Sequence, residues 1–81
     1  MQKSAISSKP ETLDASGLSC PLPVLRAHKV LRTMPQGAVL ELFSTDPVSK
    51  DEVPAFCEQA GHHLLSVSEE SGKWHFLIER G

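Results

Sequence analysis

The chain has 81 residues, of which 40% are hydrophobic and 22% charged, and its net charge at pH 7 is -2. This excludes a disordered or membrane-type composition and leaves one small domain, able to bury about 60% of its unfolded surface. Beyond the first ten residues the only cations are Arg26, Lys29, Arg32, Lys50, Lys73 and Arg80, so charge gives no case for binding DNA or RNA.

Residues 1–11 contain no apolar run. They predict a flexible tail ahead of a domain over residues 12–81, not a secretory signal. The expected compartment is therefore the cytoplasm, where thiols stay reduced. No stretch approaches the ~20 apolar residues of a membrane-crossing helix, so no membrane association is expected.

Thr12-Leu13-Asp14-Ala15 predicts a short first strand, and Ser16-Gly17 turns the chain. From Pro21 to about Met34, apolar residues recur at Val24, Ala27, Leu31 and Met34, which is helical spacing. Pro35-Gln36-Gly37 ends that helix. Residues 38–44 are rich in strand formers and predict a mostly buried strand. After the turn at Thr45-Asp46-Pro47, Ser49 and Glu52 fit a capping box. Pro54 favours a later start, near Asp51. Val53, Phe56, Cys57 and Ala60 give the second helix one apolar face, and Gly61 ends it. Residues 64–70 and 73–80 alternate as two strands, with Leu65 and Val67 in the first and Trp74, Phe76 and Ile78 in the second. Ser71-Gly72 is a two-residue hairpin turn between them. The order is β-α-β-α-β-β. It predicts an α/β two-layer sandwich, a four-stranded mixed sheet with two helices on one face.

Cys20 lies in Gly17-Leu18-Ser19-Cys20-Pro21-Leu22-Pro23, between the first strand and the first helix. Pro21 is expected at the first helical position and Pro23 in the same turn, where the N–H groups are unpaired anyway. The N–H groups of Leu22 and Val24 are then possible donors to a sulfur anion. The helix dipole predicts a thiol pKa lowered by on the order of one unit. Helix-start cysteines are a reactive class, and the carboxyl edge of a sheet is where open α/β folds place their chemistry.

These residues, with Leu13-Asp14, Gly37, Asp46-Pro47, Phe56-Cys57 and the final strand pair, resemble the TusA/SirA family of small sulfur-carrier proteins. The resemblance implies that Cys20 accepts sulfane sulfur as a persulfide from a cysteine desulfurase or rhodanese-like donor. It further implies relay to an acceptor protein in tRNA thiolation, molybdenum-enzyme maturation or sulfur oxidation. A carrier of this kind is not a stand-alone enzyme and needs no cofactor or metal. Leu22 departs from relatives with an acidic residue between the prolines, and Thr45-Asp46 supplies one acid where relatives often have two. Leu22 and Asp46 lie near where a partner would dock.

Persulfide transfer is thiol exchange and asks for an accessible sulfur, not a resident base. His28, two turns along the helix, is read as a partly exposed helical residue. His62-His63 is read as a solvated turn, since adjacent histidines face different ways. Arg26, Lys29 and Arg32 form a stripe at i, i+3 and i+6, either a solvated face or a dock for an acidic partner. Cys57 is expected in the core, with a resolving thiol as the alternative. Two rival functions stand beside the carrier. One is a regulatory or nucleic-acid-binding module, disfavoured by only four aromatic residues. The other is a thiol redox sensor oxidised at Cys20. Exposure of one thiol to two successive partners suggests a monomer.

Overall fold

The computed structural model describes residues 10–81; of the tail expected over residues 1–11, residues 1–9 lie outside the described residues and Glu11 already belongs to the first strand. Six elements follow in the expected order: β1 (Glu11–Asp14), α1 (Leu22–Arg32), β2 (Val39–Ser44), α2 (Ser49–Ala60), β3 (His63–Glu70) and β4 (Lys73–Glu79). They build one four-stranded sheet in the order β1-β2-β4-β3. β1 runs parallel to β2, while β4 is antiparallel to both β2 and β3. Among the described residues no helix is long and apolar enough to cross a membrane.

Alternation along β2 sets the two sides of the sheet. Leu40, Leu42 and Ser44 are fully buried under the helices. Their cross-strand partners Ile78, Phe76 and Trp74 share that face. Ala27 and Leu31 bring α1 onto the same face, with Met34 just past its end, and Val53 and Cys57 bring α2. Among the described residues no second layer covers the opposite face. There Phe43 stacks on His75 with ring centroids 4.6 Å apart, and the Lys73 ammonium lies 5.2 Å from the Phe43 ring. His75 Nε2 stands 2.9 Å from Glu41 Oε2.

The caps differ in part from expectation. Ser49 is not the N-cap of α2; Val48 is, and no side chain caps this end. The Ser49 hydroxyl instead turns inward, 2.7 Å from that of Ser44. Both serines are buried, and a hydroxyl cut off from water needs a partner. Pro54 lies within the helix rather than in its first turn. The carbonyl of the exposed Lys50 forgoes the bond that Pro54 cannot donate. Gly61 closes α2 at φ 81°, a left-handed conformation that suits glycine. α1 ends on a distant cation: Arg80 Nε donates to the Leu31 carbonyl at 3.0 Å, where the helix dipole favours positive charge.

The β3–β4 hairpin turns at Ser71 and Gly72, both with positive φ, as a type I′ turn requires. β3 departs from simple alternation. A register shift between Leu64 and Ser66 lets Leu64 pack against the core and turns Leu65 to solvent. Val67 lies opposite Phe76 but stays 42% exposed, because β3 is an edge strand.

Candidate functional site at the carboxyl edge of the sheet

Parallel pairing puts the carboxyl ends of β1 and β2 at one edge, and the loops leaving them lie side by side. Backbone and side-chain hydrogen bonds lash the two loops together. Ala15 N–H donates to the Phe43 carbonyl at 2.8 Å, and Gly17 N–H donates to Thr45 Oγ1 at 2.8 Å. Gly17 adopts φ +84°, a conformation glycine reaches without steric cost. Asp46 makes the central tie. Its Oδ2 accepts the Cys20 N–H, while its Oδ1 accepts the Val48 N–H at 3.1 Å. Asp46 N–H in turn donates to Ser44 Oγ at 3.2 Å.

Cys20 is exposed and stands just before α1. Pro21 is not the first helical residue but the N-cap, with φ -100° and ψ 16°. Leu22 follows as the first helical residue and Pro23, fully buried, as the second. The Leu22 N–H is taken by the Ser19 carbonyl at 2.9 Å, so it is no donor to the sulfur.

The electrostatics reverse the expected sign. The Cys20 thiol is pushed up from its ordinary pKa, not down. The largest cause is its hydrogen bond to the Glu52 carboxylate. Partial loss of hydration follows, then the negative charges of Glu52 and Asp46. Two carboxylates contributed by the β2–α2 loop and α2 outweigh the helix dipole, which is modest at an exposed site.

The family model described as "Sulfurtransferase TusA" matches residues 11–80. The chain belongs to the TusA family of sulfur carriers. It is 51% identical over 70 residues to the sulfur carrier protein TusA of Allochromatium vinosum, covering 86% of this chain and 92% of that one. It is 44% identical over 69 residues to the TusA of Pseudomonas entomophila, covering 85% and 86%. The crystal structure of a SirA-like protein from Desulfitobacterium hafniense superposes with a TM-score of 0.77 at 28% identity, over 86% of this chain and 96% of that one.

In this TusA-family chain the other candidate residues divide clearly. Arg26, Lys29 and Arg32 are all exposed on α1. His28 is exposed and meets Phe56 edge-on, with centroids 5.6 Å apart. His62 is not a simply solvated residue. It is half-buried, lies 5.6 Å from Phe56 between ring centroids, and accepts the Gly81 N–H on Nδ1 at 3.0 Å. Burial, chiefly, holds its pKa down. Cys57 is in the core, and burial pushes its thiol up to about 11.

Three residues on the elements that flank the thiol escape a reading of the sequence. Leu25 and Val48 are exposed apolar side chains, 56% and 44% accessible, as is Leu22 at 41%. Glu52 reads locally as a cap. The available signal was its place one position off the buried Val53, on the helix that follows Asp46.

Two measurements check this geometry. Asp46→Ala removes the acceptor for two backbone N–H groups and should cost about 1–2 kcal/mol in urea unfolding. Asp46→Asn, which keeps one oxygen, should cost less. Cys57 links stability to alkali. The unfolded thiol loses its proton near pH 9.0 and the native one near 11. In that window the native state holds a proton that the unfolded state has released, so stability falls as pH rises. The slope of unfolding free energy between these values should be shallower in Cys57→Ala than in wild type.

Proposed function

We propose that Cys20 carries sulfane sulfur as a persulfide, accepting it from a cysteine desulfurase or rhodanese-like donor and passing it to an acceptor protein. The observation that carries this reading is an exposed thiol, tied by its own N–H to Asp46 at the carboxyl edge of the sheet, in a chain of a sulfur-carrier family. An accessible sulfur on a fixed backbone suits handover between two proteins. The chain acts as a monomeric cytoplasmic carrier and not as a complete enzyme. The routes open to it are tRNA thiolation, molybdenum-enzyme maturation and sulfur oxidation. Leu22, Leu25 and Val48 offer a partner an apolar rim, and Arg26, Lys29 and Arg32 beyond it steer an acidic one.

The test is intact mass after incubation with a cysteine desulfurase and cysteine, and separately with a rhodanese and thiosulfate. Wild type should gain one sulfur atom, lost again on reduction, and peptide mapping should place it on Cys20. No gain with either donor would move the weight to a redox sensor or a binding module.

A further inference from the structure

Arg80 and Gly81, which follow β4, tie the foot of the domain together at the end of the sheet away from Cys20. The Arg80 N–H donates to the Ala38 carbonyl at 2.8 Å, and its carbonyl accepts the Gly37 N–H at 2.9 Å. Its guanidinium donates to the Leu31 carbonyl from Nε at 3.0 Å and to the Gly81 carbonyl from Nη1 at 2.8 Å. Gly81 sits against the turn that ends α2. A Cβ at residue 81 would fall 1.7 Å from the Gly61 carbonyl oxygen, so the seat takes glycine and no side chain. The Gly81 N–H donates to His62 Nδ1 at 3.0 Å. That nitrogen accepts only while it is bare, so the bond needs a neutral ring with its proton on Nε2. From α2 the Phe56 ring meets it at 5.6 Å between centroids, and the Cys57 carbonyl accepts the His62 N–H at 2.9 Å. The charged and titratable groups that face the ring are Arg80, His28 from α1 and the adjacent His63. Among the described residues no carboxylate forms an ion pair with it.

We propose that His62 is a proton-operated latch: its neutral ring holds Gly81 in its seat, and protonation releases the segment. A proton on Nδ1 removes the acceptor and leaves the Gly81 N–H without this partner. It also puts a second positive charge beside the Arg80 guanidinium. Both effects act in the same direction. Burial first, then Arg80 and the two histidines, hold the His62 pKa below its ordinary value, as expected of a ring kept neutral by its place in the fold. As pH falls below about 6.5, the unfolded chain takes up this proton before the native one. Stability from the latch is therefore complete above that value and is lost with acid. The latch couples the end of α1, the start of β2 and the end of α2, and it does not depend on what Cys20 carries.

The test is a pH titration of the isotope-labelled full chain by solution NMR, for wild type, His62→Asn and Gly81→Ala. It follows the Gly81 amide and the His62 ring. In wild type the shift of the Gly81 amide and its order should change together with one midpoint. That midpoint should coincide with titration of the His62 ring and lie below about 6.5. Asparagine offers an oxygen close to where Nδ1 stood but takes up no proton. Gly81 should therefore stay ordered over the same range in His62→Asn. Gly81→Ala loses the seat while every titratable group remains, and its His62 midpoint should rise towards the ordinary value. A Gly81 amide that stays ordered while the wild-type ring titrates would overturn the latch. So would a transition at Gly81 that persists unchanged in His62→Asn, or a His62 midpoint that Gly81→Ala fails to move.

Discussion

Cys20→Ser is expected to abolish sulfur loading completely, while Cys57→Ala loads at the wild-type rate. A hydroxyl in place of the thiol cannot form a persulfide, so no partial activity should survive. The loop itself should persist in Cys20→Ser. Asp46 bonds to the backbone N–H of residue 20, which serine retains, and the Gly17–Thr45 bond is untouched. Unfolding midpoints of the two proteins should therefore agree, separating lost chemistry from lost structure. Cys57 is the internal control. It is buried against the sheet, and its thiol, pushed up to about 11, stays protonated at neutral pH and is a poor nucleophile. Intact mass with a single donor reads both variants. Residual reversible sulfur on Cys20→Ser would show that a second site exists, and loss of loading in a folded Cys57→Ala would make Cys57 a resolving thiol.

Phe76→Ala should produce the largest loss of stability. Phe76 is fully buried in β4, facing Leu42 across one neighbour and Val67 across the other. It lies at the centre of the sheet, under the helices, with little freedom for the surroundings to collapse onto a void. Truncation there costs about 3–5 kcal/mol. A domain of this size has only about 4–12 kcal/mol in total, so a substantial fraction of the variant should be unfolded at physiological temperature. The control is Leu65→Ala on the edge strand, where 52% exposure predicts a change of about 0.5 kcal/mol or less. Urea unfolding of the pair distinguishes a core concentrated on β2 and β4 from one spread evenly over the sheet. Equal costs for both would overturn the packing described here.

The elements were legible because their signals are local. Spacing of Ala27, Leu31 and Met34 marks α1, alternation through Leu40 and Leu42 marks β2, and Ser71-Gly72 marks the hairpin. Placement of Cys20 at the carboxyl edge followed from the element order alone. What escaped depends on residues far apart in sequence. The Ser49 hydroxyl satisfies Ser44 rather than its own helix, which no local motif announces. The thiol's sign depends on Glu52 and Asp46, which reach it only once β2 has paired with β1. Propensity placed a dipole beside the sulfur, and tertiary structure placed two carboxylates there. The Leu64–Ser66 irregularity was hidden for a similar reason, since the apolar pattern through Leu65 and Val67 reads equally well as an inward face.

The strand order has a consequence for synthesis. β4 lies between β2 and β3, yet it is the last of the six elements to leave the ribosome. Translation proceeds at about 5–20 residues per second, so roughly 2–7 s separate completion of β2 from completion of β4. Throughout that interval Leu40 and Leu42 lack their cross-strand neighbours Ile78 and Phe76, and the edge of β2 that β4 pairs is open. The sheet can therefore close only after the last strand is made, so folding of this chain is completed at the end of synthesis and not progressively during it.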